Sequence, residues 1–382
     1  MHTPNELVRE VRMLEISARY LWPVLRVFVG KGLSARCSRC TGSECYSRIE
    51  NGVCEACRTA ELHPEGGADI GKQEEMQSKL AALLGAQEES ETSAGRFDAL
   101  VLFSGGKDST YLVHRLRREY PGLRLLAFTV DNNFMSPVAL ENVRETVSRL
   151  DLEHVLYRAP ESFSVKMFRY AFTHLNEKGC AGTVDQFDGD AIFDMARNFA
   201  ADNRIPLVIG GISPIQVEQN VGIEWFETSR ETEQSERTHV AGLRLRDIFS
   251  EHEMKYWWNG AERSGDELPR VIFPFYAWGY SERDVKAEVV RLGLMSGKNN
   301  SPLLTNNQLV PLMALVDNAQ FGYSSFEPEF ARLVRRGKAD RTFWRNLFEM
   351  AEYSARTGRF IKKSIDDILR RLELTRGDVG LA

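Results

Sequence analysis

The stretch Ala99-Leu-Val-Leu-Phe-Ser-Gly-Gly-Lys-Asp-Ser-Thr110 constrains this chain more than any other. Ala99 to Phe103 are apolar without alternation, the pattern of a parallel strand covered on both faces. Ser104, Gly105 and Gly106 follow with small side chains and permissive dihedrals, so backbone N–H groups can close around an anion where the next helix begins. Lys107 adds a mobile positive charge, Asp108 a hard carboxylate suited to magnesium, and Ser109 and Thr110 hydroxyl donors. Together they predict a polyphosphate site. The alternative is a plain glycine-rich turn between strand and helix.

The segment lacks the Gly-x-x-x-x-Gly-Lys-Ser/Thr pattern, because Asp108 directly follows Lys107. It closely resembles the Ser-Gly-Gly-x-Asp-Ser signature of the PP-loop, or N-type ATP pyrophosphatase, superfamily. That resemblance implies an adenine-nucleotide α-hydrolase type of fold and magnesium-assisted cleavage of ATP between its α- and β-phosphates. AMP is then placed on a substrate oxygen and pyrophosphate is released. It carries Ser104, Gly105, Gly106, Lys107, Asp108, Ser109 and Thr110 over as nucleotide-binding residues, and Val130, Asp131 and Asn132 as part of an adenosine pocket. Gly211 to Glu218 resembles a later loop whose acidic residue holds magnesium or orients the acceptor. Asp108 and Glu218 are thus the magnesium-associated carboxylates, with a helix cap and an ordinary surface carboxylate as the respective alternatives.

Strand and helix patterns alternate beyond the loop. Strands are predicted at 123–130, 153–157 and 205–209, and helices after the loop, carrying Tyr111, Leu112 and Leu116 and ending near Tyr120, and at 137–150, 163–177 and 190–201. Such alternation predicts a doubly wound parallel sheet, with Ser104–Ser109, Asp131–Asn133 and Gly210–Glu218 along one mouth.

Five of the six cysteines fall between Cys37 and Cys57, which suits metal ligation in a reducing compartment better than an extracellular disulfide framework. Cys37-x-x-Cys40 and Cys54-x-x-Cys57 lie thirteen residues apart, and four thiolates so arranged can close a structural zinc (Zn2+) site. Gly52 fits a tight turn before the second pair. Cys45 leaves open an iron–sulfur set with Cys37 and Cys40, or a free thiol.

Leu7, Val11, Leu14, Ala18, Leu21 and Leu25 recur at helical spacing, predicting a helix over 5–29 that packs by this face and is ended or kinked at Pro23. Mixed acidic and basic residues favour packing over a membrane-surface role. Three regions result: 1–95 with the helix, cysteine module and linker; 96–250 with the nucleotide site; and a mostly helical 251–382 for acceptor binding or interaction.

Against a net charge of −5, residues 332–371 carry twelve Lys or Arg and five Asp or Glu, a local +7. A tRNA-binding face and a solvated helical surface both fit this excess. No apolar run approaches the roughly 18 residues of a bilayer span, and no signal-like segment opens the chain, so a cytoplasmic location is expected.

Cys180, in Glu177-Lys-Gly-Cys-Ala-Gly-Thr-Val-Asp185, raises persulfide chemistry, which sulfur-transferring PP-loop enzymes resemble one another in using. Thr183 stands where a paired cysteine would, and the neighbouring Asp185, Asp188 and Asp190 would stabilise a thiolate less than a basic residue. Cys180 is accordingly either catalytic or a packed thiol. The three aspartates either orient an acceptor or metal or form a polar helix start.

The order from Cys37 to Arg341 resembles the N-acetyl sugar amidotransferase group within that superfamily. The resemblance rests on the Cys-x-x-Cys pairs, Ser104–Ser109, Thr129-Val-Asp131, Ser301-Pro-Leu-Leu-Thr-Asn306, Phe326-Glu327, Arg335-Arg-Gly-Lys338 and Arg341. It implies conversion of an acetamido substituent on an activated or lipid-linked sugar to an acetamidino group, with ammonia from a separate glutaminase. No cysteine follows Met1 to suggest glutamine hydrolysis in this chain. Ser301, Thr305 and Asn306 are candidates for the acceptor, and Lys298 and Arg341 for phosphates. The competing functions are an ATP-dependent sulfurtransferase acting on a small molecule or tRNA, and a nucleotide- or nucleic-acid-binding protein without turnover.

Overall fold

The computed structural model describes residues 4–62, 70–89, 95–294, 301, 303 and 306–382. The chain divides into two compact units, both discontinuous: Met1–Leu7, Ala68–Phe163 and Asp188–Asn307 form one, and Val8–Gly67, Ser164–Phe187 and Gln308–Ala382 the other. This differs from the division into 1–95, 96–250 and 251–382. Residues 251–307 stay with the first unit because Arg270–Ile272 is a strand of its sheet, and the carboxyl-terminal helices share a unit with the cysteine module.

The main sheet of the first unit holds five strands: β1 (Ala99–Leu102), β2 (Leu125–Asp131), β3 (Glu153–Arg158), β4 (Leu207–Ile209) and β5 (Arg270–Ile272). All pairings in this sheet are parallel, in the order β3-β2-β1-β4-β5, and a separate short pair, His239–Val240 with Leu243–Arg244, is antiparallel. Side chains alternate across a strand, so Ala99, Val101 and Phe103 face one side of the sheet, with Leu112, Val113 and Leu116 of α1 (Lys107–Glu119) and Met76, Leu80 and Leu84 of the helix Ile70–Glu88. On the other side Phe128 lies 4.8 Å from Phe199 of α3 (Gly179–Asp202). Helices therefore cover both faces, as the unbroken apolar strands require; each fully buried Leu or Phe contributes roughly 1.5–3 kcal/mol.

The chain crosses from β1 to β2 and β3 on one side and then to β4 on the other. The order of connection thus reverses between the carboxyl ends of β1 and β4, where open α/β sheets bind ligands. α2 (Pro137–Arg149), capped by Ser136, follows β2.

The second unit is helical around a small cysteine knuckle. Its carboxyl-terminal helices are α4 (Val310–Phe321), α5 (Glu327–Arg335), α6 (Arg341–Thr357) and a last helix, Lys363–Arg371. Arg36 anchors the knuckle to them, its guanidinium lying fully buried 3.0 Å from Glu327 and 3.2 Å from Glu352. Removing Arg36 would leave two buried carboxylates without the guanidinium they share.

The amino-terminal helix runs as predicted to Val29, but a π turn at Ser17–Leu21 interrupts it just before Pro23. The extra residue of that turn shifts the packed stripe by one position. Val11, Ala18 and Trp22 are buried, while Leu21 and Leu25, expected inside, are exposed. No described helix is long and apolar enough to cross a membrane.

Candidate functional site

β1 delivers Phe103 to the sheet edge, where the Thr129 hydroxyl donates to its carbonyl at 2.6 Å. The chain then turns through Gly105 at φ +71°, and a Cβ there would fall 2.6 Å from the Ala139 carbonyl oxygen. Only glycine fits, on both counts. Gly106 occupies the cap position of α1 in extended conformation with no side chain capping the helix, so first-turn N–H groups remain for an anion. Ser109 braces the loop: its hydroxyl donates to the Gly106 carbonyl at 3.2 Å and accepts from the Ser104 N–H at 3.3 Å. Thr110, also in the predicted set, is fully buried in the same turn.

Asn306, 202 residues away in sequence, donates from Nδ2 to the Ser104 hydroxyl at 3.0 Å. Gly211, just past β4, lies against the first turn of α1: a Cβ there would sit 3.4 Å from Ser109 Cα and 3.0 Å from Leu112 Cδ2. The parallel pairing of β1 with β4 thus brings Gly211 to the loop, as the predicted mouth requires.

Charge at the loop is arranged around Asp108. Its Oδ2 lies 2.9 Å from Lys107 Nζ, and its Oδ1 accepts the Tyr280 hydroxyl at 2.7 Å. Glu282 is 3.4 Å from the same ammonium. Burial would lower the Lys107 pKa, but Asp108 and Glu282 outweigh it and raise it, so Lys107 is cationic at neutral pH. Asp108 thus supplies one carboxylate, engaged by Lys107 and Tyr280, beside the turn at Gly105 that a Cβ would fill, and a carboxylate is the oxygen donor that suits magnesium. Glu218 lies in the π turn Val217–Val221 and accepts the Tyr276 hydroxyl at 2.9 Å. Burial, then that carboxylate, push the Tyr276 phenol upward.

At the end of β2, Val130, Asp131 and Asn132 are buried. Asp131 accepts from the Asn133 N–H at 2.9 Å and from Arg158 Nε at 2.9 Å. Asn132 Nδ2 donates to Asp188 Oδ1 at 2.8 Å, and Asn307 Nδ2 to Asp188 Oδ2 at 2.9 Å. Burial pushes the Asp188 carboxyl up to about 6, with both amides opposing. Asp185, Asp188 and Asp190 are not at a helix start, because α3 begins at Gly179 and continues through Gly182 and Gly189.

Tyr276, Tyr280, Glu282 and Asn307 were not among the residues expected at this loop, and Asn306 was expected at the acceptor. A lone tyrosine or asparagine far along the chain carries no local pattern. Of the acceptor candidates, Ser301 accepts from the Leu303 N–H at 3.2 Å, while Lys298 and Thr305 lie outside the described residues.

In the second unit, Cys37, Cys40, Cys54 and Cys57 are buried, with all four Sγ atoms within 4.8 Å of one another. Cys37 and Cys57 are 3.8 Å apart and Cys40 and Cys54 3.6 Å. Four sulfurs on a tetrahedral ion with bonds near 2.3 Å stand about 3.8 Å apart. This spacing suits one central ion, whereas several iron atoms between the thiolates would hold them farther apart. The four cysteines can therefore chelate a metal, and Cys45, exposed, is outside the set.

Backbone N–H groups of Arg39 and Cys54 point at Cys37 Sγ and that of Gly42 at Cys40 Sγ. Burial raises the Cys40 and Cys57 thiols; at Cys37 burial is outweighed by donated backbone hydrogen bonds, and the thiol is lowered to about 6. Arg341, a candidate for phosphate, instead donates to the carbonyls of Cys40 at 2.9 Å and Cys37 at 2.7 Å, bracing the first knuckle.

Cys180 is fully buried in the first turn of α3, and its N–H donates to Asp317 Oδ1 at 2.7 Å. Burial and then the Asp317 carboxylate push its thiol well above the usual value. That environment disfavours the thiolate, and the Asp317 carboxylate ties the start of α3 to α4.

No protein-family model and no curated protein matches this chain. Among solved structures it is similar to the U34-tRNA thiolase NcsA of Methanococcus maripaludis with its 4Fe-4S cluster, at 13% identity over 82% of this chain and 89% of that one, TM-score 0.34. The NH3-dependent NAD synthetase of Campylobacter jejuni subsp. jejuni gives 11% identity, 76% and 98% coverage and a TM-score of 0.32. The NMN synthetase of Francisella tularensis gives 12%, 59% and 89%, and 0.30. Likenesses at this level assign neither family nor activity, and the architecture rests on the chain's own parallel sheet and cysteine cluster.

Proposed function

We propose that this chain is an ATP-dependent amidotransferase of the PP-loop type that acts on an amide or acetamido group of a sugar or related small molecule. The amide oxygen attacks the α-phosphorus of ATP and pyrophosphate leaves. Ammonia then adds to the activated carbon and AMP departs with the former amide oxygen. One amide, one ammonia and one ATP thus give one amidine, one AMP and one pyrophosphate. An amide oxygen leaves poorly by itself, and adenylation makes it a phosphate-ester leaving group.

One observation carries the reading: an uncapped helix start, the left-handed Gly105 and the Lys107–Asp108 pair meet where the strand order reverses. First-turn N–H groups of α1 bind the phosphates, and Lys107 takes up charge on the departing pyrophosphate. Asp108, with Glu218, would hold magnesium, which neutralises phosphate charge when bound. Val130, Asp131 and Asn132 offer backbone groups to the adenosine, since both polar side chains are already engaged.

Zinc in the four-cysteine set is structural in this account, because four buried thiolates leave no open position. Nitrogen rather than sulfur is favoured by the protonated, buried state of Cys180. Ammonia comes from a separate glutaminase or from solution. The test is incubation with ATP, magnesium, ammonium and acetamido sugars: AMP, pyrophosphate and an amidine form one to one, whereas ADP and phosphate alone would refute the mechanism.

A further inference from the structure

The outward side of the amino-terminal helix presents Met13, Ile16, Tyr20, Leu21, Val24 and Leu25 to solvent, and ends in Val27 at 77% and Phe28 at 80% exposure. Eight large apolar side chains within sixteen residues form a continuous stripe, since they recur at three- and four-residue steps on the side opposite Val11, Ala18 and Trp22. The π turn that displaced Leu21 and Leu25 from the packed side helps to build the stripe.

The exposed charges along the same segment are all positive: Arg12, Arg19 and Lys31. Arg19 is paired with Asp340 at 3.5 Å, which leaves Arg12 near one end and Lys31 just past the other. Glu15 is half-buried. At the Lys31 end, Arg356 of α6 donates to the Gly32 carbonyl, and the exposed Arg359 and Phe360 follow α6. The Phe360 ring lies 6.1 Å from Tyr353, itself 5.7 Å from Trp22 of the helix.

We propose that this stripe docks in the plane of an anionic lipid surface, with the apolar side chains among the upper acyl chains and the cations at the headgroups. An aromatic and aliphatic face whose exposed charges are mostly basic, with Arg12, Arg19, Lys31 and Arg359 against the Asp340 that Arg19 pairs, matches that surface in both polarity and charge. A second copy fits worse, because isologous pairing would set the same cationic rim against itself. None of these residues belongs to the nucleotide site or the metal cluster, so the inference stands apart from the proposed reaction.

The test is cosedimentation of the full chain with vesicles of phosphatidylglycerol and phosphatidylcholine, compared with phosphatidylcholine alone. Binding to the anionic vesicles that weakens with added salt is expected. The double variant Val27→Glu/Phe28→Glu should lower binding by about tenfold or more, with an unchanged thermal midpoint because both positions face solvent. Failure of the folded protein to bind anionic vesicles, or equal binding by the variant, overturns the proposal. A dimer in sedimentation equilibrium that the same substitutions dissociate, without vesicle binding, also overturns it and assigns the stripe to a second copy.

Discussion

The hydroxyl of Tyr280 donates to Oδ1 of Asp108 at 2.7 Å, linking a residue beyond β5 to the first turn of α1. Lys107 holds the other carboxylate oxygen, so the two contacts fix the Asp108 side chain from both sides.

Tyr280→Phe tests this positioning. A hydrogen bond to a charged group is worth about 1.5–3 kcal/mol, so kcat/KM should fall roughly ten- to hundredfold. A looser Asp108 binds magnesium less well, so added magnesium should restore part of the loss while the thermal midpoint stays put. Unchanged kinetics at every magnesium concentration would refute the role.

Gly105→Ala places a methyl group 2.6 Å from the Ala139 carbonyl oxygen at a φ of +71°. Strain of this kind costs about 1–3 kcal/mol, and relieving it moves the phosphate loop. A lower melting temperature together with loss of ATP binding by calorimetry is expected. Normal nucleotide affinity would show that the loop does not hold phosphate.

Asp188 gives a pH signature of defined sign. Its carboxyl titrates at 3.8 when unfolded and at about 6 when folded, so between these values the folded state binds more protons. Stability from this group is full below pH 3.8 and is lost as pH rises through 6, by up to about 3 kcal/mol. Asp188→Asn removes the dependence. Urea unfolding should find the variant gaining on the parent between pH 4.5 and 7.5; an equal difference at both pH values would contradict the assignment.

The cysteine cluster predicts one zinc per chain by elemental analysis. Cys54→Ser should abolish that zinc and lower the melting temperature, since metal binding contributes directly to folding of a small knuckle. Several irons with inorganic sulfide per chain, in place of one ion, would contradict the single-ion reading.

The region from Ala99 to Thr110 was legible in the sequence because its signals are local: an unbroken apolar strand, two glycines and charged residues directly after them. The four-cysteine set was legible because both pairs have ligand spacing, and Gly52 does turn at φ +78° before the second. β5 was not, since Arg270–Ile272 is three residues long and becomes a strand only by pairing with β4. That short strand also draws residues 251–307 into the first unit. Asn306, Tyr280 and Asp188 act through tertiary contacts, and the helix start expected around Asp188 and Asp190 lies inside α3, which begins at Gly179.

The central claim is that ATP is opened at its α-phosphorus by an amide oxygen. Turnover of an acetamido substrate carrying oxygen-18 in the amide, read by mass spectrometry of the nucleotide product, tests it most directly. The account predicts one labelled oxygen in AMP for each pyrophosphate released, with turnover lost in Asp108→Asn. Unlabelled AMP, or label in inorganic phosphate beside ADP, would contradict it.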